Sequence, residues 1–144
     1  MRIYHVLTIV LLCVLMTSRS EGNNKISYRI KNVLAKQPEM QNISVWIYFS
    51  DKGDENEIAN AYRNINLPQN SIKRRLKTFN SQKSLTTWYD IPVNDSYIAK
   101  VQPFVLSVRK KSKWLNAVSA EISVESLSKI SRLPFVKKID LLAK

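Results

Sequence analysis

The side chains most used in nucleophilic and acid–base chemistry are scarce here and poorly placed for it. His5 is the single histidine and Cys13 the single cysteine of 144 residues. Both lie in an opening stretch laid out like an export signal. Arg2 supplies a positive start, Val6 to Met16 is an apolar run, and Ser18-Arg19-Ser20 puts small residues where a signal peptidase reads. Cleavage after Ser20 is expected, which leaves a mature chain with no histidine and no thiol. A Ser-His-Asp or Cys-His site is thereby excluded, as are a typical zinc site and any disulfide. Only Gly22 and Gly53 remain, too few for a glycine-rich phosphate loop. Paired carboxylates could still do acid–base work. However, Asp51, Asp54, Glu55 and Glu57 crowd one polar loop, where solvated acids are the default. The expectation is a non-enzyme without metal or cofactor, whose chemistry is binding.

The apolar run at the start is far shorter than the roughly 20 residues of a membrane span, so an uncleaved anchor is the lesser alternative. A lipid-anchored cysteine is disfavoured because Leu11-Leu12 precede Cys13 instead of small residues. The expectation is a secreted, extracytoplasmic protein with no stable membrane association once the signal is cut. Its 124 remaining residues make one domain, long enough for a core without covalent staples. The net charge of +12 falls only to +10, because Arg2 and Arg19 leave and all 11 acids stay. Such a balance suits an acidic partner, an anionic surface or a nucleic acid, or simply keeps a face solvated.

Several elements would position a binding surface. Glu21 to Gln41 is a polar segment in which Ile26, Ile30, Val33 and Leu34 hint at a short amphipathic helix. Ser44 to Phe49 reads as a strand, with Val45, Ile47 and Phe49 on one face and Trp46 and Tyr48 on the other. The first set is assigned to the core and the second outward. Glu55 to Asn64 reads as a helix, and Ser71 to Lys77 as a short basic helix with Ile72 and Leu76 on one side. Asp90 to Asn94 is extended and leads into a helix over Asp95 to Gln102, which Pro103 ends. Phe104 to Val108 is a predicted strand, and Arg109 to Lys113 its hairpin turn or wet end. Trp114 to Ile122, nearly all small or apolar, reads as a strand buried on both faces. A helix N-capped by Ser123 follows, stopped by Pro134, and a strand over Val136 to Leu141 closes the domain. The order β-α-β-β-α-β predicts an α+β fold, a ferredoxin-like split βαβ plait with an insertion at about residues 65–89 in the first crossover. The expected organisation is 1–20 signal, 21–43 polar segment and 44–144 folded domain.

Trp114-Leu115-Asn116-Ala117-Val118-Ser119-Ala120-Glu121-Ile122, the helix with Leu127 and Ile130, and Pro134-Phe135-Val136-Lys137-Lys138-Ile139-Asp140 together resemble the pro-region of subtilisin-like serine proteases. Val45 to Gly53, Leu67 to Leu76 and Asp90-Ile91-Pro92-Val93 extend the likeness to longer pro-regions of secreted bacterial members. The resemblance implies a folding template and temporary inhibitor whose sheet packs on two surface helices of the protease catalytic domain, its own in cis. It implies that Asp140 caps the ends of those helices, and that Leu141, Leu142, Ala143 and Lys144 begin the tail that lies in the active-site cleft.

Independently of the resemblance, two helices can cover only one face of a four-stranded sheet, so one apolar face is left for a partner. Trp46, Tyr48, Leu115, Ala117 and Ser119 are the expected contacts there, the small Ala117 and Ser119 letting a flat surface approach. The expected protein is a partial precursor of such a protease, with a stand-alone secreted inhibitor as the alternative. A nucleic-acid-binding plait is the reading of another class. It is disfavoured because Lys113 to Ala120 lacks the glycine and paired aromatics of that signature.

Overall fold

The computed structural model describes residues 24–78 and 85–142. Its centre is strand β1 (Asn42–Phe49), flanked on both sides by antiparallel partners. On one side lies β3 (Ala117–Ser123), which in turn pairs antiparallel with the edge strand β2 (Ser107–Ser112). On the other lies β4 (Val136–Leu141), so that the order across the sheet is β2-β3-β1-β4. Five α-helices accompany the sheet among the described residues: α1 (Tyr28–Lys36), α2 (Glu55–Asn64), α3 (Gln69–Thr78), α4 (Asp95–Val101) and α5 (Ser126–Ser131). The fold is α+β.

Local chemistry explains where the helices begin. The Asp54 carboxylate accepts from the Glu57 N–H at 2.8 Å while the Glu57 carboxylate accepts from the Asp54 N–H at 3.0 Å, a capping box that starts α2. Asn94 Oδ1 caps α4 by accepting from Ser96 N at 2.8 Å. Helix α2 buries none of its residues, whereas α4 buries Ile98 and Val101 and α5 buries Leu127 and Ile130. The last two helices therefore cover the sheet, against Ile43, Val45, Ile47 and Phe49 of β1, Val118, Ala120 and Ile122 of β3, and Val136 and Ile139 of β4.

Three boundaries depart from the sequence reading. The second strand is Ser107–Ser112 rather than Phe104 to Val108, and Gln102–Phe104 is a 3-10 turn that carries the chain past Pro103. An edge strand has no need of an apolar run, and its lysines discourage pairing with another sheet. The third strand starts at Ala117, because Lys113 to Asn116 form the hairpin turn and Trp114 and Leu115 are exposed there. The helix after β3 is shorter than expected. Ser123 closes the strand instead of serving as the helix N-cap residue, although its Oγ accepts from Ser126 N at 3.3 Å.

The polar segment before β1 is part of the structure. Ile26 forms a parallel bridge with Ile139, Ser27 N donates to Ile139 O at 2.9 Å, and Ile139 N donates to Lys25 O at 2.8 Å. Ile30, on α1, is fully buried in the core. The segment thus covers the outer edge of β4, an edge that would otherwise present unpaired backbone groups.

Candidate docking face

Strand register decides which residues share the sheet face away from the core. Trp46 lies opposite Ser119 on one side and Asp140 on the other; Tyr48 lies opposite Ala117 and Lys138; Ser44 lies opposite Glu121. Period-two alternation puts all of these on one face. None of them belongs to the hydrophobic core cluster, and Trp46 and Tyr48 stay only partly buried. Val45, Ile47 and Phe49 point the other way, at 0–3 % exposure. Ala117 and Ser119 are themselves buried, small side chains between the rings of β1 and the Lys110 and Ser112 positions of β2. The Lys138 ammonium lies 5.9 Å from the centre of the Tyr48 ring.

The structure brings together Trp46, Tyr48, Ala117, Ser119 and Asp140, and it separates Leu115 from them. Leu115 sits in the hairpin turn beside Trp114, which stacks on Tyr89 at 6.1 Å; Tyr89 meets Trp88 edge-on at 5.5 Å. Asn116 ends this turn in the left-handed region, φ 49°. Its amide donates to Asp51 O at 2.6 Å and to Phe49 O at 3.3 Å, tying the hairpin to the end of β1. Leu141 ends β4 opposite Val45, and Leu142 N donates to Ser44 O at 3.0 Å, so the tail leaves along the sheet. Ala143 and Lys144 lie outside the described residues, as does the signal expected over 1–20. Where the tail leaves, a cavity of about 680 Å³ opens, lined among others by Arg29, Val33, Met40, Ser44, Arg109 and Leu142.

Asp140 is not a bare acid. Lys138 Nζ donates to it at 2.7 Å, Leu141 N at 2.9 Å, the Ser27 hydroxyl adds a further bond, and Arg29 Nη1 stands 3.9 Å away. Burial pushes its pKa up, but these donors outweigh it and hold the carboxyl below its usual value. The carboxylate of Glu121, a residue the sequence reading assigned no role, has no hydrogen-bond or ion-pair partner among the described residues, while its backbone carbonyl accepts from Leu106 N at 2.8 Å. Its signal in the sequence was the two-residue spacing from Ser119 along an otherwise small and apolar strand.

Outside this face the buried charged groups are structural. Arg75 holds buried Asp90 through two parallel bonds of 2.7 and 2.9 Å, with Thr87 N and Oγ1 adding 2.8 and 2.9 Å. The Arg75 bonds above all, against burial, hold the Asp90 carboxyl far below its usual range. The basic run of α3 thus anchors the insertion through Arg75. Lys52, 2 % exposed, donates to the carbonyls of Ile91 and, at 3.0 Å, Lys113, with its ammonium 4.3 Å from the Trp88 ring centre. Burial, then the Lys113 charge, lower its pKa to about 8. Among the described residues no group of three His, Cys, Asp or Glu could hold a metal, and no helix is long and apolar enough to cross a membrane.

The family model of the Peptidase S8 propeptide domain, Bacteroidota, matches residues 44–144. No curated protein and no solved structure matches the chain.

Proposed function

Because the chain belongs to the Peptidase S8 propeptide domain family of Bacteroidota, we propose that it is the pro-region of a secreted subtilisin-like serine protease. It acts on the protease catalytic domain, in cis, as folding template and temporary inhibitor. The fold is read as a ferredoxin-like plait, supported by the strand order β2-β3-β1-β4 with all neighbours antiparallel. The observation that carries the reading is the pair Trp46 and Tyr48, large apolar side chains on a sheet face that lies outside the main hydrophobic core cluster. Buried apolar area is what a stable interface needs at its centre, and the small Ala117 and Ser119 beside the rings leave room for it. Asp140 borders this face, and Leu141, Leu142, Ala143 and Lys144 run on toward the protease cleft. Residues 1–20 are the export signal and 44–144 the docking domain. Binding involves neither nucleic acid nor membrane.

The test is a peptide-cleavage assay with a purified subtilisin-type protease and the chain from Glu21 onward. Micromolar chain is expected to slow cleavage, and removal of residues from Leu142 on to relieve most of the effect. Undiminished cleavage at micromolar chain argues against the inhibitor role.

A further inference from the structure

We propose that Glu121, rather than Asp140, is the carboxylate this face offers to its partner, while Asp140 serves as the latch that holds the N-terminal segment to β4. The proposal rests on the docking reading above and assigns the roles of the two acids on that face. Asp140 has three of its roughly four acceptor positions taken from within the chain by Lys138, Leu141 N and Ser27, with Arg29 close by. Two of these four, Ser27 and Arg29, belong to the segment that precedes the family-matched stretch. That segment reaches β4 through the Ile26–Ile139 bridge, one residue from Asp140. Asp140 therefore ties the added edge and α1 to the sheet.

Glu121 has the opposite surroundings. It is partly buried on the same face, between Ser44 of β1 and Ser107 of β2. Arg109 donates to Ser44 Oγ at 3.4 Å, and Ser44 lies opposite Glu121, yet Arg109 makes no ion pair with the carboxylate. Water must satisfy the carboxylate in the free chain. A partner that covers the face removes this water, and a charge left unpaired there is strongly unfavourable. The partner surface opposite Glu121 must therefore carry a hydrogen-bond donor: a guanidinium, an ammonium or bare backbone N–H groups. Lateral strand spacing and rise per residue separate the two acids by roughly 12 Å, so one donor cannot serve both.

The test compares Glu121→Gln with Asp140→Asn in the full chain, against a subtilisin-type protease that the unaltered chain inhibits. Glu121→Gln is expected to weaken inhibition about tenfold, the scale of a lost charged hydrogen bond, with the melting temperature unchanged. Asp140→Asn is expected to shift inhibition by less than about threefold while speeding hydrogen exchange at the Ile139 amide, which bonds to Lys25. Ser27→Ala and Arg29→Gln, which remove partners of Asp140 from the other side, give the same exchange readout if the asparagine variant does not fold. Inhibition that is indifferent to Glu121→Gln, or lost on Asp140→Asn with Ile139 exchange unaltered, overturns the assignment. If the unaltered chain inhibits no such protease, the docking reading fails and the assignment falls with it.

Discussion

Asn116 shows how one residue fixes the end of the sheet. Its φ of 49° lies where most side chains are disfavoured and asparagine is tolerated, and its amide bonds two carbonyls of the β1 end. Asn116→Ala keeps the strain and loses both bonds. It is expected to lower stability by about 2–3 kcal/mol, the sum of a left-handed alanine and the lost bonds, read by urea denaturation. Asn116→Gly, which removes the strain, should recover about half of that. The sequence made this residue hard to read as a turn, because Trp114-Leu115-Asn116-Ala117 is apolar on both sides of a single amide. Only the propensity of asparagine for positive φ distinguishes it from a strand residue. Glu121 could be placed on the face by its two-residue spacing from Ser119, but only the register shows that Ser44 lies opposite it.

At the scale of elements, legibility followed the range of the interactions involved. Strand β1 was legible because both of its faces are large and apolar, and helix α2 because Ile58, Ala61, Tyr62 and Ile65 stand at helical spacing. The position of β2 was not, since an exposed edge strand of Ser, Val, Arg and Lys carries no burial pattern. The first helix was only hinted at, because what fixes it is contact with Ile139, more than a hundred residues away. That contact has a measurable consequence. Ile30 is fully buried although it precedes the family-matched stretch. Ile30→Ala is therefore expected to destabilise the domain by about 2–5 kcal/mol, the range for an isoleucine truncated in a packed core. A denaturation midpoint within error of the unaltered chain would show α1 to be an appendage. On the outer face, Ala117→Leu is expected to weaken inhibition of a subtilisin-type protease more than it lowers the melting temperature. The added bulk enters a row of small residues between Tyr48 and Ser112 on the side away from the main core cluster.

For the whole molecule, the shifted groups predict an unusual dependence of stability on pH. Asp51, Asp90 and Asp140 all have carboxyls held below the usual value by hydrogen bonds and, for Asp90, by the Arg75 pair. Each contributes stability that is complete above the ordinary carboxylate pKa and is lost as pH falls below about 4. Lys52 acts in the other half of the scale. Its folded pKa, about 8, lies below the unfolded value, so between those points the unfolded chain binds the extra proton. Stability therefore rises from about pH 8 toward the ordinary lysine pKa of about 10.4. The neutral amine still donates to the Ile91 and Lys113 carbonyls and no longer faces the Lys113 charge. Tyr97 limits the rise. Burial and its bond to Asp51 push its pKa up to about 12, so above the ordinary tyrosine value the folded chain holds a proton that the unfolded chain releases. Stability then falls as pH climbs past about 10. The expected profile in urea denaturation is a gain from pH 8 to a maximum near pH 10, followed by a decline. Lys52→Met should abolish the rising limb whatever it does to absolute stability, because the slope belongs to the titrating amine alone. A rising limb of undiminished slope in that variant would assign the gain to relief of the chain's overall positive charge, and Lys52 would then be an ordinary surface-like lysine despite its burial.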